Sequence, residues 1–242
     1  MCTVTFHPQG KQFLLAMNRD EQRTRVKGIF PGRNRIDGVG VLGPSEPSGG
    51  RWIVVNEFGV CLALLNWYAQ SMAPPDVPHS RGAVVGSAAS VRHRKELLGR
   101  LDREPLVRVR PFRMVSVFSR DRELIEWRWD GERLHSIELP WQATLWASSG
   151  YDEPAAQASR REVYNVWSRD SDWNVDRMRK FHASHEPEQG ALSVCMHREE
   201  AATVSYSEVS VGHEMVEVNY FSGAPCSPIC HESGTLPLQI DV

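Results

Sequence analysis

The sequence predicts an α+β fold in four layers: an αββα sandwich of two mostly antiparallel sheets, formed as one domain over residues 1–242. Three observations carry that expectation. Short apolar and β-branched runs recur with Gly, Pro, Asn or Asp turns between them, as in a β-meander. Two groups of small and apolar residues at helical spacing stand between the strand groups, where helices would cover the faces of sheets. The chain, with 242 residues of which 41% are hydrophobic, is long enough to bury a full core.

The opening residues Cys2-Thr3-Val4-Thr5-Phe6 form a first apolar strand, and His7-Pro8-Gln9-Gly10 a turn. Phe13-Leu14-Leu15-Ala16-Met17 returns as a second strand and runs into Asn18-Arg19-Asp20-Glu21. Residues 22–50, rich in Arg, Gly and Pro, read as loop with little regular structure. Ile53-Val54-Val55 and Val60 to Leu65 are the next two strands, joined by an Asn56-Glu57-Phe58-Gly59 turn in which Gly59 suits positive φ. The second of them ends at Asn66-Trp67, and residues 68–80 form a loop beside the proposed site.

Val84, Val85, Ala88, Val91, Leu97 and Leu98 give residues 82–100 helical spacing. Residues 112–118, 124–129 and 134–139 read as a three-stranded meander, followed by an apolar run at Thr144 to Ala147. Residues 154–167 and 176–185 read as helices, and 191–197, 203–211 and 215–221 as closing strands.

The first hairpin is where chemistry concentrates. Antiparallel pairing brings the end of the second strand beside the start of the first, so residues 18–21 fall next to Cys2. A thiol of pKa ~8.5 is only partly ionised at neutral pH and needs a base within reach. If Met1 is removed, Cys2 carries a free α-amine of pKa ~7.7–8.0 that can be that base, and a carboxylate such as Asp20 can orient it. A cysteine at position 2 also reads as a small apolar residue opening a buried strand.

Met1-Cys2-Thr3-Val4 followed by Leu14-Leu15-Ala16-Met17-Asn18-Arg19-Asp20-Glu21 resembles the NRDE family, which includes the transport and Golgi organisation 2 proteins. More distantly it is similar to choloylglycine hydrolases and penicillin V acylases, which are N-terminal-nucleophile (Ntn) amidases. The resemblance implies an Ntn-hydrolase fold with Cys2 as nucleophile and Asp20 holding its amine. Gly49-Gly50-Arg51-Trp52, the 56–59 turn and the strand ending in Asn66 extend it. By that resemblance Asn66 contributes an oxyanion donor; read from the residues alone, it is equally a polar strand end.

The chain departs from the amidase pattern at three places. Met17 stands where the amidases carry Arg, a role that Arg19 can share. Ser148-Ser149 stands where the family has Ser-Asn, and His197 where it usually has Arg. The resemblance is tight over residues 2–21, 49–67 and 191–226.

Composition excludes several classes. A net charge of −2 provides no basic footprint for nucleic acid. No apolar run approaches the ~20 residues that span a bilayer, and the N-terminus has no export signal pattern, so a cytoplasmic location is expected. Five scattered cysteines (Cys2, Cys61, Cys195, Cys226, Cys230) are not a secreted disulfide framework.

Cys226-Ser-Pro-Ile-Cys230-His231 is one residue longer than a haem-attachment pattern, and His182-x-x-His185 is half a zinc site with no third ligand nearby. No cofactor or metal is therefore expected. The leading reading is a cysteine Ntn hydrolase of a small amide. Its catalytic residues are Cys2, Asp20 and Asn66, and its substrate contacts Asn18, Arg19, Trp67, Ser148, Ser149 and His197. Arg81 is a further candidate for an anionic group. The alternative is a non-catalytic carrier or chaperone for haem or an acyl group on the same fold.

Overall fold

The computed structural model describes residues 2–30, 32–70, 76–169 and 173–239. In chain order these form β1 (Cys2–Gln9), β2 (Gln12–Gln22), β3 (Asn34–Ile36), β4 (Val39–Leu42), β5 (Ile53–Asn56) and β6 (Val60–Asn66). Next come α1 (Arg81–Ser87), α2 (Arg94–Leu101), β7 (Phe112–Phe118), β8 (Glu123–Trp129), β9 (Leu134–Leu139) and β10 (Thr144–Ser148). The chain closes with α3 (Glu153–Trp167), α4 (Val175–Ala183), β11 (Ala201–Val211), β12 (Met215–Ala224) and β13 (Ser227–Pro237).

The strands make two sheets, in the order β10-β1-β2-β11-β12-β13 and β3-β4-β5-β6-β7-β8-β9. Every strand pairing within them is antiparallel. Between the sheets, Val4, Phe6, Leu15 and Met17 pack against Val55, Ala63 and Val115. On the outer face of the second sheet, Val54 and Leu62 meet Val84 of α1 and Leu97 of α2. On the outer face of the first, Leu145 and Ala147 meet Tyr164 of α3 and Phe181 of α4. This is the αββα sandwich that the strand and helix pattern predicts, with no helix among the described residues long and apolar enough to cross a membrane.

Several elements differ from the sequence expectation. The helix expected over residues 82–100 is two helices. The Asn56 side-chain amide captures the Ala89 and Val91 carbonyls at 3.0 and 2.7 Å, and His93 starts α2 as its N-cap. Residues 191–197 are buried at their core but form no strand. The Val194 carbonyl takes the Asn18 amide, the Met196 carbonyl takes the Thr203 N–H, and the Cys195 N–H goes to the Ser184 carbonyl. With these groups satisfied locally, no ladder forms. The 22–50 stretch contains β3 and β4, and the exposed, polar β13 carries too little apolar alternation to announce itself. Residues 71–75 of the expected 68–80 loop lie outside the described residues.

Gly59 adopts φ 72° in the β5–β6 turn, as the sequence requires. Gly82 serves differently: a Cβ there would lie 3.0 Å from the Arg51 nitrogen and 3.1 Å from the Gly50 Cα. Its absence lets the first turn of α1 close against the start of β5, where the candidate site lies.

Candidate active site

The registers of β1 set the geometry. Cys2 pairs with Arg19 across β2 and with Ser148 across β10, so all three side chains leave the sheet on one face. That face opens at the end of the sandwich into a cleft of about 630 Å³. Cys2, Arg19, Trp52, Asn66, Tyr68 and Arg81 are among its walls. Cys2 is 7% exposed, buried but open to the cleft. Two clefts of about 640 and 660 Å³ elsewhere on the molecule hold no cysteine.

Burial pushes the Cys2 thiol up and the Asp20 carboxylate adds to the shift, opposed by the Asp20 backbone N–H and the Arg19 guanidinium. The resting sulfur is therefore a thiol, and reactivity requires a base. Arg19 stacks its guanidinium 4.1 Å from the centre of the Trp52 ring and donates to Glu46 at 2.8 Å, which also takes Arg25 at 2.8 Å.

Asp20 lies on the opposite face, as the two-residue period of a strand demands. Its carboxylate accepts from Arg160 Nη1 at 3.1 Å and from the Thr203 hydroxyl at 2.6 Å. Arg160 Nη1 links the Asp20 carboxylate to the Cys2 backbone. The carboxylate lies on the helix side of the sheet, and the Cys2 sulfur points the other way. A β-bulge between Thr203 and Ser205 turns Thr203 onto Asp20. Arg160 is wholly buried and also donates to Thr3 Oγ1 at 2.8 Å and to the Cys2 carbonyl at 3.5 Å. It reaches this point because Ala156, Arg160, Val163 and Tyr164 form the buried stripe of α3, capped by Asp152.

Asn66 lines the cleft from the end of β6, and its amide donates to the Tyr68 hydroxyl at 2.7 Å. That leaves one amide hydrogen not used by Tyr68. Tyr68 is held there because the Glu153 carboxylate, at the start of α3, accepts from the Ala69 N–H at 2.6 Å.

The remaining expected contacts fall elsewhere. Asn18 does not reach the cleft: it faces the helices and donates to the His182 and Val194 carbonyls, both at 2.9 Å. Trp67 is not a cleft wall and lies beneath Arg128, 5.8 Å from its guanidinium. Ser148 lies beside Cys2 but below the cleft, fully buried, with its hydroxyl unpaired. Ser149 accepts from the Tyr151 N–H at 3.2 Å in the following turn.

His197 is not a cleft wall and is grouped instead with His185, Cys195 and Cys226, whose ligand atoms lie within 4.8 Å of one another. His182, the expected partner of His185, bonds Thr5 instead, at 2.8 Å. Cys226 is likewise separated from His231, which stacks on Phe221 and bonds Asn219 at 2.8 Å. Met1, on whose removal the α-amine depends, lies outside the described residues.

Sequence reasoning gave no role to Arg160, Thr203, Glu46 and Arg51, although Arg51 stands inside the Gly49-Gly50-Arg51-Trp52 motif. Arg51 donates to the Gly43 carbonyl at 2.8 Å and Arg81 to the Pro111 carbonyl at 3.3 Å, neutral acceptors that leave both charges to the cleft. Burial lowers the pKa of each. Five arginines line the cleft (Arg19, Arg25, Arg51, Arg81, Arg110) against the carboxylates of Glu21 and Glu46, the Asp20 carboxylate being turned to Arg160 and Thr203, so the lining is net positive.

The family model described as Transport and Golgi organisation 2 matches residues 1–189. No curated protein matches the sequence. Among solved structures, a mutant of the conjugated bile acid hydrolase from Clostridium perfringens superposes with a TM-score of 0.56 at 10% identity, covering 100% of this chain and 97% of that one. A second variant of that hydrolase gives 0.56 at 12% identity, covering 100% and 99%. The penicillin V acylase from Agrobacterium tumefaciens gives 0.51 at 11% identity, covering 92% and 83%. At these identities the likeness is one of fold, that of the Ntn hydrolases.

Proposed function

The chain belongs to the Transport and Golgi organisation 2 family, and from that premise we propose that it is an N-terminal cysteine hydrolase of a small amide that carries an anionic group. The observation that carries the reading is the register of Cys2 with Arg19. It leaves the thiol in a cleft lined by arginines, and Arg160 joins the anchored Asp20 carboxylate to the Cys2 carbonyl, which supports the reading.

Once Met1 is removed, the α-amine takes the thiol proton as the Cys2 sulfur attacks the amide carbonyl carbon. Asp20 orients the amine, fixed in turn by Arg160 and Thr203. The oxyanion is met by an amide hydrogen of Asn66. Preorganised donors of this kind are worth roughly 3–4 kcal/mol each. The C–N bond then breaks, the leaving amine takes the proton back, and a thioester remains on Cys2. Water adds to the thioester and passes its proton to the α-amine. The carboxylic acid departs and the thiol is restored. Arg51 and Arg81 hold the substrate's negative charge.

The test is turnover of a panel of small amides, with and without a carboxylate, alongside mass measurement of the N-terminus. The reading expects hydrolysis that prefers the carboxylate-bearing members, falls with salt, and drops at least ~10³-fold in Cys2→Ala. Hydrolysis that survives Cys2→Ala, or cargo held without turnover by a chain whose Cys2 is N-terminal, overturns it.

A further inference from the structure

A second group of reactive side chains sits behind the cleft and plays no part in the proposed hydrolysis. His185 follows α4, Cys195 and His197 belong to the 191–197 segment, and Cys226 lies in the turn from β12 to β13. Their ligand atoms all lie within 4.8 Å of one another. His185 Nε2 is 3.2 Å from His197 Nε2, and Cys195 Sγ is 3.5 Å from Cys226 Sγ. The His197 Nε2 atom is 3.5 Å from Cys195 Sγ and 3.4 Å from Cys226 Sγ.

Bonds of ~2.3 Å to sulfur and ~2.0–2.1 Å to nitrogen around a tetrahedral ion require edges of about 3.8 Å between sulfurs, 3.3 Å between nitrogens and 3.5 Å for mixed pairs. The four edges above agree within about 0.3 Å. Side chains from three separate segments converge here, the two remaining edges from His185 to the sulfurs lying within 4.8 Å, and no carboxylate belongs to the group.

We propose that His185, Cys195, His197 and Cys226 bind one divalent metal ion tetrahedrally, with zinc the best match to two thiolates and two imidazoles. Binding releases one proton from each thiol and leaves both imidazoles neutral. Four protein ligands leave no open position, so the ion is structural.

Its place in the fold gives it a second consequence. The Met196 N–H donates to Thr203 Oγ1 at 2.8 Å, and the Thr203 hydroxyl donates to Asp20 at 2.6 Å. The ion therefore fastens the β12–β13 turn to the segment that steadies Asp20. The site stands whether or not Cys2 is a nucleophile.

The experiment is metal analysis of the full chain purified under reducing conditions, followed by replacement with cobalt(II). The expected result is one zinc per chain. Cobalt should give visible d–d absorption of tetrahedral intensity with thiolate-to-metal charge transfer in the near ultraviolet. Cys226→Ser alters an exposed side chain and should keep the fold by circular dichroism. It should still lose affinity by more than the ~10–100-fold of an outer-shell change. His185→Ala should behave alike, and Cys230→Ser should keep metal and spectrum. Absence of stoichiometric metal in reduced protein overturns the proposal. So does a cobalt spectrum unchanged in Cys226→Ser, or a Cys195–Cys226 disulfide that persists under reduction and excludes the ion.

Discussion

Along residues 18–21 the two faces of β2 differ in what they touch. Asn18 and Asp20 point into the layer between sheet and helices, where Asn18 bridges two backbone carbonyls and Asp20 meets Arg160 and Thr203. Arg19 and Glu21 line the cleft. One polar tetrapeptide thus does two things by strand alternation: its even positions lock the helices onto the sheet, and its odd positions face the cleft. Asp20 joins the two faces, since its carboxylate is anchored in the helix layer yet is linked to the Cys2 carbonyl through Arg160.

That contrast breaks most severely at Arg160. Arg160→Met leaves the Asp20 carboxylate buried with one partner fewer, and stability should fall by about 3–5 kcal/mol in denaturant unfolding. Adding Asp20→Asn should return part of that loss, because no buried charge is then left over. Equal instability of single and double variants would show that Arg160 acts through packing instead.

The helix layer also sets the acid limit. Burial lowers the pKa of His7 and His182 to about 3, with Arg160 and His7 adding to the effect at His182. The unfolded chain takes up protons below pH ~6.5 that the folded chain refuses, so stability is full above that pH and declines as pH falls toward 3. At pH 5 the loss is about 2 kcal/mol per histidine. The midpoint of urea unfolding followed from pH 7.5 to 4.5 checks this, and His182→Gln should flatten the slope. A slope unchanged in that variant removes His182 from the account.

The neighbours Asn18 and Arg19 sharpen the comparison at smaller cost. Asn18→Ala strips the donor from two buried carbonyls and should cost about 2 kcal/mol, with turnover per folded molecule unchanged. Arg19→Gln removes a cation from Trp52 and from Glu46, which keeps Arg25, so the cost should be about 1 kcal/mol, with KM raised. If the two exchange effects, the division of β2 into a structural and a functional face is wrong.

The fold was largely legible because period-two alternation on most strands and small-residue helical spacing are local signals. Local signals fail at β13, whose register is chosen by its neighbour β12, and at residues 191–197, whose apolar run is buried and meets β11 through an isolated His197–Ala202 bridge instead of a ladder. Pairing of Cys2 with Arg19 was not legible: a turn at residues 7–10 would set Cys2 opposite Leu15, whereas β1 continues to Gln9 and the chain turns at Gly10-Lys11. Arg160 was invisible because a single arginine in an amphipathic helix ordinarily faces water. The four metal-type ligands were invisible as a set because Cys226 joins them through tertiary folding. Even the direction of Asn18 needed the helix layer, since a strand's period says that two residues differ in face but not which face holds the site.

Reactivity at Cys2 with a free and with a blocked nitrogen is the most direct test of the central claim. Protein beginning at Cys2 and protein retaining Met1 are treated with a thiol-reactive amide analogue, and the adducts are located by mass spectrometry. The account predicts rapid labelling of Cys2 in the first and slow labelling in the second, because the buried thiol has its base only when its own amine is free. Equal rates in the two, or labelling that passes over Cys2 in favour of the exposed Cys226 and Cys230, would contradict it.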